Sequence, residues 1–241
     1  MDLAFYAAAA GASAQQKRMN VVANNLANLT TTGFKKSDAI FANLIYNELN
    51  PPAQEGVQMI ASSGVRLEKT NTDHSVGHLV PTGMPYDYVI LEQGYFALQD
   101  PESQEITYTR DGTFHLSEQQ DGKFLLTAAN GKYVLDVNGK TIEVNDANKE
   151  SKLPIGVYRF RTTDGMLHVG DNEFSPVEKN GTAVVAENSD SLLLQGHTEE
   201  SNVNMAEEMT KMIEAQRAYQ FALKMVQTTD EVETTINSLR Q

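Results

Sequence analysis

A chain of 241 residues with 40% hydrophobic content is long enough for one good-sized core and a smaller appendage. Its 32 acidic and 19 basic residues leave a formal charge of −13, which repels phosphate backbones and anionic headgroups and argues against nucleic-acid or membrane-surface binding. Without cysteine there are no disulfides, thiolate metal sites or cysteine nucleophiles.

Leu3 to Ala10 is apolar and Ala12-Ser13-Ala14 imitates a signal-peptidase site. However, Asp2 stands where a basic residue is required, and the helical pattern runs past the supposed cut, so mature structure is expected. Phe5, Ala8, Ala12, Gln15, Met19, Val22 and Leu26 alternate spacings of three and four, one stripe of an α-helix, with Gln16, Lys17 and Asn20 opposite. The stripe is built largely from alanine, which lets another backbone approach closely. Asn28 and Thr30-Thr31-Thr32-Gly33 break it. No apolar run approaches the roughly 20 residues that span a bilayer, so direct membrane insertion is not expected. Residues 35–80, with Pro51-Pro52 and scattered Gly and Ser, read as an extended connector.

From Tyr86 to Leu194, short strand-like runs are bounded by Asp111-Gly112, Asp121-Gly122, Asn130-Gly131, Asn138-Gly139, Asp164-Gly165 and Asn180-Gly181. Such pairs readily take the positive φ of tight hairpins. Between them lie Phe124-Leu125-Leu126, Tyr133-Val134-Leu135, Val157-Tyr158-Arg159-Phe160 and Leu192-Leu193-Leu194, which predicts a compact antiparallel β domain. In the last zone Met205, Met209, Met212, Gln216, Tyr219, Leu223 and Val226 form a heptad-like seam. A second seam, Ala218, Ala222, Met225, Thr229, Val232, Ile236 and Leu239, takes over one position round the helix. Ser201 and Asn202 are candidate caps. Two seams predict contacts on more than one side, as in a bundle of many helices.

The expected fold class is α+β. Amino- and carboxyl-terminal helices (1–34 and 200–241) form a coiled-coil-like domain, 35–80 is the connector, and 81–199 is an inserted antiparallel β domain. A helix pair this exposed would leave apolar stripes in water unless neighbouring subunits covered them, which points to assembly.

Chemistry is hard to find. His74 and His78 are spaced like a helical metal pair, but Ser75-Val76-Gly77 between them is poor helix and no HExxH glutamate is present. Glu118, Asp121 and Glu143 could serve a secreted β-domain carboxylate hydrolase, yet solvated turns explain them better. There is no Gly-x-Ser-x-Gly elbow, P-loop or dinucleotide fingerprint, so no catalytic residue, cofactor or metal is expected. Lys17, Arg18, Lys35 and Lys36 are sparse and lack an aromatic platform; Lys35-Lys36 reads as a short solvated pair.

Asn20-Val21-Val22-Ala23-Asn24-Asn25-Leu26-Ala27-Asn28, followed by Thr31-Thr32-Gly33-Phe34-Lys35-Lys36, resembles the amino-terminal signature of flagellar rod and hook proteins. Ser201-Asn202-Val203-Asn204, Glu208-Met209, Met212-Ile213, Gln216-Arg217-Ala218-Tyr219, Thr229, Asp230, Asn237 and Leu239-Arg240 are similar to the carboxyl-terminal motif of the same family. Tyr108-Thr109-Arg110-Asp111-Gly112-Thr113-Phe114 is similar to its characteristic hairpin, and Gln195-Gly196 sits where that family re-enters its helical part. Glu92 replaces a usual glycine, Thr198 a common leucine, and the stretch from Asn138 to Tyr158 is shorter than in typical distal-rod proteins. The opening Met1-Asp2 with Tyr6 and Gly11-Ala12 looks more like the proximal rod protein, and the short chain agrees.

The resemblance implies a structural subunit, not an enzyme, of the bacterial flagellar basal-body rod. It polymerises through its terminal helices into a helical axle that transmits torque; a hook-type or distal-rod subunit is the alternative. Its partners would be copies of itself, other axial proteins and the export apparatus, with type III export and no cleaved signal. Subunit packing is expected at Phe5, Ala8, Ala12, Met19, Val22, Asn24, Asn25, Leu26 and Asn28, and at Met205, Met209, Met212, Tyr219, Leu223, Val226, Val232, Ile236 and Leu239. The three asparagines at the end of the first helix would bond to neighbours through their amides; local capping and turn formation compete as the explanation for all three, and most strongly for Asn28.

Overall fold

The amino-terminal stripe becomes one unbroken helix, α1 (Asp2–Ala27). It belongs to a computed structural model that describes residues 2–43, 46–48, 60–62, 64–119, 122–145, 152–170, 172–187 and 189–239. Met1, Pro51-Pro52, Asp121, Arg240 and part of the short stretch between Asn138 and Tyr158 lie outside the described residues. Just beyond α1, a turn forms in which the Thr31 N–H donates to the Asn28 carbonyl at 3.2 Å and the Thr31 hydroxyl to Asn28 Oδ1 at 3.1 Å.

The stretch 35–80 contains regular pairing: β1 (Ser37–Asn43) pairs with β4 (Val65–Thr72), and β2 (Tyr46–Glu48) with β3 (Ile60–Ser62). There follow β5 (Leu79–Pro81), β6 (Tyr88–Ile90), β7 (Tyr95–Gln99), β8 (Ile106–Thr109), β9 (Phe114–Glu118) and β10 (Phe124–Ala128). Then come β11 (Tyr133–Val134), β12 (Glu143–Val144), β13 (Val157–Arg159), β14 (Leu167–Gly170), β15 (Glu173–Ser175) and β16 (Val184–Val185). A single helical turn, α2 (Ser189–Leu192), leads into β17 (Leu193–Gln195), β18 (His197–Glu199) and the long α3 (Met205–Leu239).

Two compact units result. One holds Met1–Ala27, Ser37–Asn71 and Asn204–Gln241; the other holds Asn28–Lys36 and Thr72–Val203. The second, the β unit, is built on a ten-stranded sheet ordered β12-β10-β11-β7-β8-β15-β14, with β9 on β10, β13 on β7 and β16 on β13. Its hairpins are antiparallel, β9 on β10 through Leu126↔Leu116 and β7 on β8 through Ala97↔Tyr108. Strand β7 explains the layering. Tyr95-Phe96-Ala97-Leu98 is apolar at every position, and side chains alternate faces along a strand, so both faces must be covered. Phe96 and Leu98 enter one core with Tyr88, Ile90, Leu126, Ile155 and Val157, while Tyr95 and Ala97 enter another with Tyr108, Tyr158 and Phe174.

Two local expectations are corrected. Gly112 has no positive φ; a Cβ there would stand 1.7 Å from the Tyr88 carbonyl oxygen, so this glycine permits a close backbone approach, not a hairpin turn. The cap of α3 is Asn204, not Ser201 or Asn202. Its Oδ1 accepts from the N–H groups of Ala206 at 3.0 Å and Glu207 at 3.3 Å, two donors that the helix start leaves without carbonyls. Asn202 instead straps strand ends within the β unit, accepting from the Lys36 N–H at 2.8 Å and donating to the Asp73 carbonyl at 2.8 Å.

Candidate assembly surface and its polar anchors

In the helical unit α1 and α3 run antiparallel, since Arg18 meets Glu214 at 3.5 Å while Asn25, farther along α1, meets Glu208, earlier on α3, at 2.9 Å. Ala12 and Val22 are buried, Ala8, Met19, Leu26 and Asn28 half-buried, and Phe5 and Asn24 exposed. On α3, Met212, Tyr219 and Val226 are half-buried. Met205, Met209, Leu223, Val232, Ile236 and Leu239 are exposed. What the chain itself buries on α3 is a stripe of Glu208, Met212, Ala215, Tyr219, Ala222 and Val226, lying between the two expected seams. Alanine at 215 allows the close approach, and a side chain of any size would push the helices apart.

Asn25 is fully buried and committed inside its own chain. Its Nδ2 donates to the Ser37 carbonyl and to Glu208 Oε2, both at 2.9 Å, and its Oδ1 accepts from the Ser37 N–H at 2.9 Å. One amide thus ties α1, the start of β1 and α3 together. The Lys211 ammonium completes the knot, meeting Glu208 at 2.8 Å, Glu207 at 3.0 Å and Asp38 at 3.2 Å. Desolvation works against that ammonium's charge, but bonds to the three carboxylates outweigh it and hold the pKa above its ordinary value. The spacing gave no hint of Glu208, because a glutamate beside an apolar seam reads as solvated; only its pairing with Asn25 reveals its place.

The β unit has its own anchor. Lys35, read above as half of a solvated pair, is fully buried; its ammonium donates to Glu199 and to the Ser75 carbonyl. Glu199 Oε1 also accepts from the Gly77 N–H at 2.7 Å, and Arg110 Nη1 lies 3.6 Å from Glu199 Oε2. Lys35 and Arg110 come from the amino-terminal and hairpin motifs that carried the resemblance, and Glu199 lies between Gln195-Gly196 and the carboxyl-terminal motif. Gly33 brings them together: at φ +66° its N–H donates to the Glu199 carbonyl at 2.7 Å, and a Cβ would stand 2.5 Å from the Arg110 carbonyl carbon. Asn172, also at positive φ, donates to the Thr32 carbonyl at 2.7 Å and secures the same turn. Glu92, where the resemblance expects glycine, is exposed and meets Arg159 at 2.7 Å.

His74 belongs to this neighbourhood. Its Nδ1 lies 2.6 Å from the Tyr95 hydroxyl, and its ring packs edge-on against Phe174 at 5.5 Å between centroids. Among the described residues no group of three or more His, Asp or Glu is placed to hold a metal, and no helix is long and apolar enough to cross a membrane. Burial, reinforced by the positive charge of Lys35, pushes the His74 pKa down to about 4. Between that value and the ordinary 6.5 the unfolded chain binds more protons than the folded one, so stability falls as pH drops through this window. Urea unfolding should show a loss of up to about 1.4 kcal/mol per pH unit there, and His74→Gln should flatten that slope.

Known proteins match at the same places. The family model for the flagella basal body rod protein covers residues 5–35, that for the flagellar hook protein FlgE/F/G D1 domain 89–156, and that for the flagellar basal body rod FlgEFG protein C-terminal region 194–239. The flagellar basal-body rod protein FlgG of Buchnera aphidicola subsp. Baizongia pistaciae is 34% identical over 95% of this chain and 96% of its own. FlgG of Borreliella burgdorferi is 31% identical over the whole of both chains, and the rod protein FlgF of Mesorhizobium japonicum is 30% identical over 99% of this chain and 98% of its own. The chain therefore belongs to the flagellar basal-body rod protein family, whose members are structural subunits and not enzymes.

Proposed function

We propose that this rod subunit polymerises through its terminal helices into a helical axle that transmits torque, with helices of neighbouring subunits packing in coiled-coil fashion. An apolar stripe on the second half of α3 carries this conclusion. Phe221, Met225, Val232, Ile236 and Leu239 are 65, 57, 47, 38 and 82% exposed. Met225, Val232 and Leu239 recur every seventh position, and Phe221 and Ile236 fall on the same face. The antiparallel register set by Arg18–Glu214 and Asn25–Glu208 brings Asp2 opposite roughly residue 230, so the last turns of α3 extend past α1. Copies of this chain and other axial proteins are the natural cover, because a helical assembly repeats one contact at every subunit. On this reading the half-buried Ala8, Met19 and Leu26 of α1 belong to the same contacts, as do the exposed Phe5, Met205, Met209 and Leu223.

Export through the flagellar apparatus without signal cleavage is part of the same proposal. It is supported by α1 running unbroken through Ala12-Ser13-Ala14, with Ala12 and Ala14 buried, so that a cut there would sever a packed helix. To test the assembly face, Val232→Asp and Ile236→Asp are introduced together. Both sites are exposed in the single chain, so the circular dichroism and unfolding midpoint of the free protein should change little. Co-sedimentation with purified rod partners should fall at least tenfold. Undiminished co-sedimentation would remove this stripe from the assembly surface.

A further inference from the structure

One ion cluster inside the β unit sets two buried cations against a single carboxylate. Lys35 and Arg110 are 0 and 2% exposed, and among the described residues both pair with one carboxylate, Glu199. Asp73, the next carboxylate along, is engaged by Lys36 at 3.6 Å. An arginine does not shed its proton; burial holds the Lys35 pKa below its ordinary value, but the Glu199 carboxylate opposes that shift, and the ammonium donates to it and to the Ser75 carbonyl. Arg110 is poorly satisfied in this arrangement. Its Nη1 reaches the Ile90 carbonyl at 3.4 Å and stands 3.6 Å from Glu199 Oε2, beyond a good hydrogen bond, and among the described residues neither Arg110 Nη2 nor Glu199 Oε2 has a hydrogen-bond partner.

Arg110 lines a cavity of about 50 Å³ together with His74, Tyr95, Phe160 and Thr163. A water-sized particle needs about 10–15 Å³, so there is room for a small ion with a few waters. Arg159 also lines the cavity, but its guanidinium is taken by the Gln93 carbonyl at 2.9 Å and by Glu92 at 2.7 Å. Glu199 does not line it. A neutral water could accept the Nη2 hydrogen bond, yet it would leave the buried charge unbalanced, and an unpaired ion in a protein interior is strongly disfavoured.

We propose that this cavity binds one small inorganic anion of chloride size, with Arg110 Nη2 as its principal donor, and that the bound anion neutralises the excess charge of the Lys35–Arg110–Glu199 cluster. The purified full chain is titrated with sodium chloride against sodium gluconate at constant ionic strength, reading the chloride NMR linewidth and the thermal midpoint. Saturable chloride broadening and a higher midpoint in chloride are expected. Thr163→Glu, which brings a carboxylate to the same cavity, should abolish both chloride effects while the circular dichroism stays that of the folded protein; the Thr163 backbone carbonyl, which accepts from the Met166 N–H at 3.4 Å, is untouched by the change. Absence of saturable broadening in the folded wild type would overturn the proposal whatever the variant does, leaving the cavity to water. Full retention of the chloride effects in a folded Thr163→Glu protein would overturn it as well.

Discussion

Glu199→Leu should lower the unfolding midpoint of the β unit by about 6–20 °C. The carboxylate is 2% exposed and is the partner of both Lys35 and Arg110, so its removal strands two cations in the interior. Breaking a buried pair in this way costs about 3–5 kcal/mol, and a domain of this size loses about 2–4 °C per kcal/mol. The Gly77 N–H would lose its acceptor at the same time, while the Gly33 turn keeps the Glu199 backbone carbonyl. Glu92→Ala is the control. It breaks an ion pair of good length, 2.7 Å, but its partners are 42 and 63% exposed, and such pairs contribute about 0–1 kcal/mol. Calorimetry on both variants separates the two cases, and equal small shifts would show that the Glu199 cluster does not hold the unit together.

The second large effect is expected from Ala12→Glu. Ala12 is 7% exposed on the face of α1 that carries Val22. Burying a carboxylate at position 12 without a partner costs several kcal/mol. The α1–α3 pair should open while the β unit, with its own two cores, stays folded. Limited proteolysis should then trim residues 2–27 and 205–239 ahead of 86–194, and the purified variant should fail to co-assemble with rod partners. Glu118→Ala, at the exposed end of β9, should be nearly silent. Purified components are needed for this test, so that an effect on assembly is separated from any effect on export. Normal co-assembly of Ala12→Glu would show that α1 is not a buried packing element.

Periodicity and turn chemistry were enough to read both long helices and the antiparallel hairpins, because those features are local. The three-and-four spacing from Ala8 to Leu26 and the glycine pairs at 131 and 139 act over a few residues. Polar groups were misjudged wherever their partners lie far along the chain. Lys35 looked solvated because Glu199 is invisible to any local window, and Asn25 could not be paired with Glu208 for the same reason. The stripe that α3 buries within its own chain was not legible, because methionines at 205 and 209 draw attention that Ala215, small and fully buried, does not. Asn202 offered a candidate cap, but Asn204 sits two residues closer to the first turn, where its Oδ1 reaches the free donors of Ala206 and Glu207.

Lys35 and Glu199 are separated by 164 residues. Bringing the ends of such a loop together costs about 4.5 kcal/mol of chain entropy, and contacts of this span form late in folding. A nascent or truncated chain that stops before residue 199 therefore carries two cations destined for the interior and no carboxylate to receive them. Its β strands can pair, but sealing the interior around Lys35 and Arg110 would be penalised until the missing segment arrives. The ion cluster thus works as a check on completeness, and a subunit acquires its full rigidity only when the stretch leading into α3 is present.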